Sequence, residues 1–85
     1  MKYVVCFERE GNSWGAYVPD LPGCVAVGKS KEKVQTLITE AIEFHIEGLR
    51  LAGEDVPKPT TKLPRQKTSD ETCEIISLEP VGAIS

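Results

Sequence analysis

Short runs of apolar residues separated by turn-forming residues open the chain. Residues 2–8 and 14–18 are rich in β-branched and aromatic side chains, and Gly11 and Asn12 between them favour a tight turn. These features predict a β-hairpin. Two prolines within residues 19–23 then interrupt strand hydrogen bonding, and residues 24–28 resume strand character. The first third of the chain is therefore predicted to form a three-stranded meander.

The hydrophobic period changes after Ser30 from that of strands to that of a helix. Apolar and half-apolar side chains now recur every three or four residues: Val34, Leu37, Ile38, Ala41, Ile42, His45 and Leu49. Ser30 is a suitable N-cap, Gly53 can end the helix in the left-handed conformation, and Pro57 prevents its continuation. The pattern predicts one helix over residues 31–52.

A polar, proline-rich connection of about twenty residues follows, far longer than the ~4–6 residues typical of compact domains. We expect it to cross the surface or to be partly mobile, and residues 54–71 to be candidates for ordering on a partner. Residues 73–78 are predicted to form a last strand and residues 81–85 a tail. Residues 1–80 then form a single domain.

The direction of each element gives a topology. The third strand runs parallel to the first, the helix carries the chain back, and the fourth strand is then expected parallel to the first, through a right-handed crossover. The predicted fold is α+β, with a β-β-β-α-β order and a mixed sheet of strand order 3-2-1-4. The single helix is expected to cover one face of this sheet.

The length and the net charge of the chain limit the classes of fold and partner that are compatible with it. Eighty-five residues suffice for one core, and 40% apolar residues with 27% charged ones are typical of a soluble globular domain. Ten basic and 13 acidic residues give a net charge of −3, which opposes attraction to a nucleic-acid backbone. A basic partner is more compatible with this charge.

The three cysteines are odd in number and show no C-x-x-C spacing. Cys6 and Cys24 lie in apolar runs, where a thiol behaves as a small hydrophobic group. We therefore expect free thiols and a reducing, cytoplasmic compartment. No signal-peptide core and no segment of ~20 apolar residues is present in the sequence.

The segment GCVAVGKS, residues 23–30, matches the phosphate-loop pattern G-x-x-x-x-G-K-[ST]. A phosphate loop needs small, flexible residues whose amides converge on the anion, whereas the intervening Cys-Val-Ala-Val favours an extended chain. A loop, not a strand, precedes it, and the chain is too short for several βα units. The match is interpreted as a strand, a turn and a helix cap, and no cofactor is expected.

A longer string is more informative than the phosphate-loop match. Residues 14–28, WGAYVPDLPGCVAVG, are followed by Ser30, Glu32 and the helical EAIEFHIEGL of residues 40–49, and then by GEDVPKP at 53–59. This combination resembles the HicB antitoxin family over residues 2–59 and, more weakly, over the last strand. Lys33-Val34 departs from the family pattern of an acidic residue followed by Ala.

The resemblance implies a partial ribonuclease-H-like fold and the antitoxin half of a toxin–antitoxin pair. The implied partner is HicA, a small basic endoribonuclease with a double-stranded-RNA-binding-like fold and a catalytic histidine, whose active site the antitoxin occludes. Many family members continue into a helix-turn-helix or ribbon-helix-helix domain. Because this chain ends soon after its last strand, we expect no direct DNA binding from it alone.

Five residues are candidate partner contacts: Asp20, Leu21, Pro22, Phe44 and Ile46. Asp20 could face a basic toxin or cap its own turn, and Leu21 could be an exposed anchor or pack beneath the helix, which we favour slightly. Phe44, Ile46 and Leu51 are apolar positions off the predicted buried stripe, which self-association or a protein partner would cover. Trp14 is interpreted as a core residue rather than an interface anchor, and His45 as structural rather than catalytic.

Enzymatic activity is not expected. Glu8, Glu10, Asp20 and Glu40 do not form the carboxylate cluster of a metal-dependent ribonuclease, because the first strand carries an acidic residue only at its end. Both faces of that strand are apolar while one helix is available to cover the sheet, which predicts a homodimer or higher oligomer. The leading hypothesis is an antitoxin for a HicA-type toxin; a stand-alone interaction module is the alternative, and a small nuclease or nucleotide-binding protein a weaker third.

Overall fold

The computed structural model describes residues 2–63 and 71–78. These residues form four strands and one helix: β1 (Lys2–Glu10), β2 (Ser13–Tyr17), β3 (Val25–Gly28), α1 (Lys31–Leu51) and β4 (Glu71–Ser77). The sheet has the order β3-β2-β1-β4, and α1 packs on one of its faces. The α+β class and the strand order are therefore confirmed. The division into a domain over 1–80 and a tail over 81–85 stays a prediction, since residues 79–85 lie outside the described part.

Strands β1 and β2 are joined by a two-residue hairpin turn, with Glu10 paired to Ser13. Gly11 has a φ of 61°, whereas Asn12 keeps a negative φ. A positive φ at the first central position alone is the signature of a type II′ turn, whose twist matches that of the flanking strands. Glycine adopts this conformation without the steric cost that other residues meet.

Strand β3 completes the meander by pairing antiparallel with β2, from Trp14 opposite Gly28 to Tyr17 opposite Val25. The segment that matches the phosphate-loop pattern is therefore pleated strand over Val25–Gly28, and its amides point alternately to opposite sides. Gly28 has a packing role instead. A Cβ at this position would lie 3.0 Å from Cγ2 of Val34, so the small residue lets the strand pass close to the helix.

Helix α1 is capped at both ends by the residues that the sequence predicted, Ser30 at its start and Gly53 at its end. Ser30 has extended backbone, and its side-chain oxygen accepts a hydrogen bond from the Lys33 N–H at 3.1 Å. At the other end Gly53, with a φ of 73°, donates to the Arg50 carbonyl, and the Glu54 N–H donates to the Leu49 carbonyl. These two bonds form a Schellman motif, which satisfies carbonyls that the helix leaves unpaired.

The direction of β4 differs from the prediction. Strand β4 is antiparallel to β1, with Lys2 opposite Ser77 and Glu8 opposite Glu71, so the sheet is antiparallel throughout and not mixed. The prediction assumed that the chain enters β4 from the end of the sheet at which the helix finishes. The connection after α1 is long enough to span the sheet, and the chain enters β4 from the end of the sheet opposite to the one at which α1 finishes.

The core lies between α1 and one face of the sheet. Tyr3, Val5 and Phe7 alternate along β1 toward the helix, where they meet Ile38 and other residues of α1. All four of these side chains are fully buried. Lys31 ties the start of the helix to β4, because its ammonium group pairs with Glu74 and lies 5.3 Å from the centre of the Phe7 ring.

The helix buries Val34, Ile38, Ile42 and Ile46. The inclusion of Ile46 corrects the prediction that placed it off the buried stripe. Residues 34, 38, 42 and 46 follow a strict four-residue spacing, which drifts slowly round the helix and carries Ile46 onto the core face. Leu37, predicted on the stripe, is partly exposed at its edge.

Candidate interaction surfaces

The large apolar side chains that remain exposed among the described residues fall mainly into two groups. One group lies on the sheet and comprises Tyr17, Val25, Val27 and Ile75, which we call the sheet patch. The other lies along α1 and comprises Leu37, Phe44 and Leu51, which we call the helix ridge. Leu63, in the connection after the helix, belongs to neither group. Exposed apolar groups of this kind mark candidate interaction surfaces.

The sheet patch lies on the face opposite α1. Tyr17 is paired with Val25 on one side and with Cys6 on the other, and Cys6 is paired with Cys73. Since directly opposite residues share a face, these four side chains form one row across all four strands. Ile75 extends the row on β4. The second face of the sheet is therefore apolar from edge to edge, and the single helix does not cover it.

Cys6 and Cys73 form a disulfide in the centre of this face, with their Cα atoms 4.0 Å apart. The expectation that Cys6 is a free thiol is therefore wrong for this structure. The two residues come together because the antiparallel register of β1 and β4 sets them directly opposite each other. Cys24 is unpaired and buried, and its burial raises the pKa of the thiol.

A pair of carboxylates borders the sheet patch at the end where β1 finishes. Glu8 lies directly opposite Glu71. A side-chain hydrogen bond with Glu71 raises the pKa of Glu8, and desolvation and the negative charges of Glu71 and Glu10 act in the same direction. Burial, followed by the charges of Glu71 and Glu8, also raises the pKa of Tyr17. One end of the apolar face is thus negatively charged.

The helix ridge has a seven-residue period. Leu37, Phe44 and Leu51 are spaced by seven, and Phe44 and Leu51 are 80% and 82% exposed. Seven residues are close to two helical turns, so the three side chains line up along one side of α1. Glu40 and Glu47 stand between them on the same side, both exposed. The ridge therefore alternates apolar groups with carboxylates.

Gly48 lies beside Phe44 on this ridge, one turn along the helix. Among the described residues, a Cβ at this position would meet no atom within 4 Å, and the φ of Gly48 is not in the left-handed region. Glycine in a helix costs about 0.5–1 kcal/mol relative to alanine. Neither packing within the described part of the chain nor the backbone conformation of Gly48 gives a reason for that cost.

The loop between β2 and β3 is fastened to the connection that follows α1. The carboxylate of Asp20 accepts hydrogen bonds from the backbone N–H groups of Thr60 and Thr61 and from both threonine hydroxyls, at 2.8–3.0 Å. These bonds, led by that from the Thr61 N–H, lower the pKa of Asp20, although desolvation opposes them. The Tyr3 hydroxyl makes a second attachment by donating to the Pro57 carbonyl.

The five predicted contact residues occupy different environments. Leu21 is fully buried and Ile46 is 8% exposed, so neither offers surface to a partner in this conformation. Asp20 binds Thr60 and Thr61 rather than capping its own turn. Pro22 and Phe44 are exposed. Phe44 belongs to the helix ridge, and its role in binding stays a prediction.

Trp14 and His45 are the two other residues that have alternative interpretations in the sequence. Trp14 is half-buried and packs against the edge of the core. His45 is half-buried on α1.

Within residues 2–63 and 71–78, no three His, Cys, Asp or Glu side chains are grouped closely enough to hold a metal ion. In the same ranges, no helix has the length and apolar character that crossing a bilayer requires.

Sequence reasoning missed two features of these surfaces. The partners of Asp20 lie forty and more residues away, and no local pattern connects them. The helix ridge did carry a signal, because a seven-residue spacing of large apolar residues is visible in the sequence. That signal was hidden by Leu37, which also fits the buried stripe.

Comparison with known proteins places these features in a family. The model of the HicB-like antitoxin of bacterial toxin–antitoxin systems matches residues 3–79. The chain is 38% identical over 58 residues to an uncharacterized 14.9 kDa protein of Haemophilus phage HP1, covering 68% of this chain and 44% of that protein. It is 30% identical over 66 residues to Antitoxin HicB 2 of Photorhabdus laumondii, covering 73% of this chain and 45% of that protein. The chain thus spans less than half the length of both relatives.

Solved structures share the fold. The N-terminal domain of the Burkholderia pseudomallei antitoxin HicB superposes with a TM-score of 0.76 at 24% identity, covering 94% of this chain and all of that one. A chain of the HicA3 and HicB3 toxin–antitoxin complex superposes with a TM-score of 0.71 at 23% identity, with the same coverage. From the family match over residues 3–79 and the shared fold, this chain belongs to the HicB-like antitoxin family.

Proposed function

We propose that this protein is an antitoxin that neutralises a HicA-type endoribonuclease by binding it directly and occluding its active site. The observation that carries the proposal is the family match over nearly the whole chain. A protein of the same fold occurs in a complex of HicA3 with HicB3, which supports a toxin of the HicA type as the partner. Blocking of the toxin's active site is the simplest means of inhibition for a binding protein.

The charge of the chain supports this role. Its net charge is −3, and several carboxylates, among them Glu40, Glu43 and Glu47, lie exposed along α1. An acidic surface speeds association with a basic protein and favours it over acidic competitors. The same charge opposes binding of this chain alone to DNA. We propose a non-enzymatic, cytoplasmic protein, in which the reducing compartment would hold Cys6 and Cys73 as adjacent thiols.

Co-expression tests the function. We expect a small basic protein, the candidate toxin, to be encoded next to the gene of this chain, and this neighbour is expressed under a tight promoter, alone and together with this chain. Growth arrest by the neighbour and its relief by this chain are the expected results. In vitro, an equimolar amount of the purified chain is expected to abolish RNA cleavage by the neighbour.

Two outcomes would contradict the proposal. Persistent growth arrest despite soluble expression of both proteins would exclude the antitoxin role and favour a stand-alone interaction module. RNA cleavage that continues inside a stable complex would retain binding but exclude occlusion of the active site. The first result is read from colony counts and the second from a gel of a labelled RNA.

We also propose that the protein self-associates through the sheet patch, with a second copy as the occupant. The exposed side chains of the patch, Tyr17, Val25, Val27 and Ile75, carry no charge, so a basic toxin would find no counter-charge at its centre. A second copy offers a matching apolar face. A two-fold antiparallel arrangement would also place the Glu8 and Glu71 ends of the two copies apart.

A further inference from the structure

We infer that the helix ridge, together with Glu40, Glu47 and Gly48, is the surface that binds the basic partner. The occupant is a basic protein surface that offers an apolar groove for Phe44 and Leu51 and Lys or Arg side chains for the two carboxylates. This inference rests on the proposed function, and it specifies the binding surface that the family match does not identify.

Phe44 and Leu51 are unusually exposed for large apolar side chains. Phe44 and Leu51 leave 80% and 82% of their surface in water, more than Val25 and Val27 of the sheet patch at 61% and 71%. A phenylalanine side chain that is this exposed gains little of the hydrophobic free energy that its burial would provide. Aromatic anchors surrounded by polar groups are typical of the residues that dominate protein–protein binding.

Charge decides between a second copy and a basic partner. If two copies of the ridge packed together, Glu40 and Glu47 of one copy would approach the same carboxylates of the other. Like charges in an interface that excludes water are strongly unfavourable. Basic side chains spaced by about 10 Å, the rise of seven helical residues, would pair with both carboxylates instead. The sheet patch lacks such exposed carboxylates between its apolar groups.

Gly48 lies beside Phe44 on the helix ridge. Neither packing against the described residues 2–63 and 71–78 nor its φ requires glycine here, and the residue costs helical stability. A missing side chain beside Phe44 leaves the helix backbone open to close approach by another surface. The glycine is therefore explained by a partner that lies against this part of α1.

Three variants of the full chain test the inference, and the probe is the candidate toxin that we expect to be encoded next to the gene of this chain. Binding is measured by isothermal titration calorimetry in 50 and 300 mM NaCl. Phe44→Ala removes the anchor, E40K/E47K reverses both carboxylates, and Gly48→Gln places a side chain where close approach is needed. Glu10→Lys/Asp55→Lys is the control for E40K/E47K, because both residues are exposed and lie outside α1, and because the two double variants change the net charge equally.

We expect Phe44→Ala and Gly48→Gln each to weaken binding at least about tenfold. E40K/E47K is expected to weaken it by more at 50 mM than at 300 mM NaCl, since salt screens the charges. Glu10→Lys/Asp55→Lys should change the affinity by less than about threefold at 300 mM NaCl, where long-range charge effects are screened. Gly48→Gln raises helix propensity, so its loss of binding cannot be attributed to unfolding, and circular dichroism checks the other variants.

Failure of the inference differs from failure of the function. If the wild-type chain binds the probe and all three ridge variants bind within about threefold of it, the surface is wrong and the proposed function stands. If Glu10→Lys/Asp55→Lys weakens binding as much as E40K/E47K does, the effect of the charge reversal is one of net charge and the assignment of Glu40 and Glu47 is wrong. If the wild-type chain does not bind the probe, the proposed function fails and the inference fails with it.

Discussion

At the residue scale, Gly28 lies where strand β3 passes closest to helix α1. A Cβ at this position would come within 3.0 Å of Val34, a fully buried side chain that has little room to move. We expect Gly28→Ala to destabilise the fold by about 1 kcal/mol through overpacking. Urea unfolding at fixed protein concentration measures the effect.

Gly48→Ala is the matched control for this prediction. Its Cβ would enter open space, so removal of the helical glycine is expected to stabilise the chain by about 0.5 kcal/mol. Opposite signs for the two substitutions are the expected result. A stabilised Gly28→Ala variant would contradict the close packing of β3 on the helix.

Asp20 gives a pH-dependent prediction. Four hydrogen bonds to the ionised carboxylate hold the pKa of Asp20 below its ordinary value of 3.8. A group whose pKa is lower in the folded state contributes stability that is complete above the unfolded pKa and disappears as the pH falls through the folded pKa. We therefore expect Asp20→Asn to cost about 1 kcal/mol at pH 7, because water screens the partly exposed carboxylate, and progressively less below pH ~4.

The measurement is urea unfolding of the wild type and the variant from pH 7 to pH 2.5. Asp55→Asn is the control, because Asp55 is an exposed aspartate of the same connection. A constant difference between wild type and Asp20→Asn across this range would show that the four bonds do not depend on the charge. Loss of this attachment would also free the β2–β3 loop from the connection after α1.

At the scale of secondary-structure elements, local patterns determined what could be predicted. The helix could be placed from Ser30, the three-to-four-residue period and Gly53, and the meander from the turn at Gly11. The direction of β4 could not be predicted, because the connection before it is long enough to reach either end of the sheet. Its proline-rich sequence carries no period that would choose one.

The Cys6–Cys73 pair was missed for the same reason, since the pairing depends on the register of β4 against β1. A cross-strand disulfide between residues 67 apart closes a long loop, which the chain-entropy model values at about 4 kcal/mol. We expect air-oxidised protein to unfold at higher urea concentration than the same protein in dithiothreitol. The free energy of unfolding of the oxidised protein should exceed that of the reduced protein by nearly that value.

The control is the variant Cys6→Ser/Cys73→Ser, whose unfolding midpoint should not respond to dithiothreitol. Cys24 is retained in this variant, so any remaining response would identify intermolecular chemistry of that thiol. Equal midpoints for oxidised and reduced wild type would mean that the bond adds no stability. In that case β4 is held in the sheet by its ladder and side-chain packing alone.

At the scale of the whole molecule, the two exposed surfaces have different chemistry and are assigned to different partners. The sheet patch is apolar with its carboxylates at one end, whereas the helix ridge alternates apolar groups with carboxylates. Both apolar faces of β1 were visible in the sequence and predicted self-association, but the separation of the two surfaces required the structure. A substitution in one surface should leave the function of the other unchanged.

Val27→Lys tests this separation, because Val27 is 71% exposed in the sheet patch and its substitution leaves the core intact. We expect the wild type to scatter light as a dimer or larger species, at least twice 9.3 kDa, at tens of micromolar. Val27→Lys should shift the particle to 9.3 kDa, since burial of a lysine in an apolar interface costs the hydration of its charge.

Leu51→Lys, a substitution of matched charge on the helix ridge, is the control and should keep the mass of the wild type. A wild type that remains at 9.3 kDa at all concentrations up to ~100 μM would refute self-association. Loss of the larger species in Leu51→Lys but not in Val27→Lys would exchange the two assignments. The helix would then form the contact between copies, and the sheet face would be left for the basic partner.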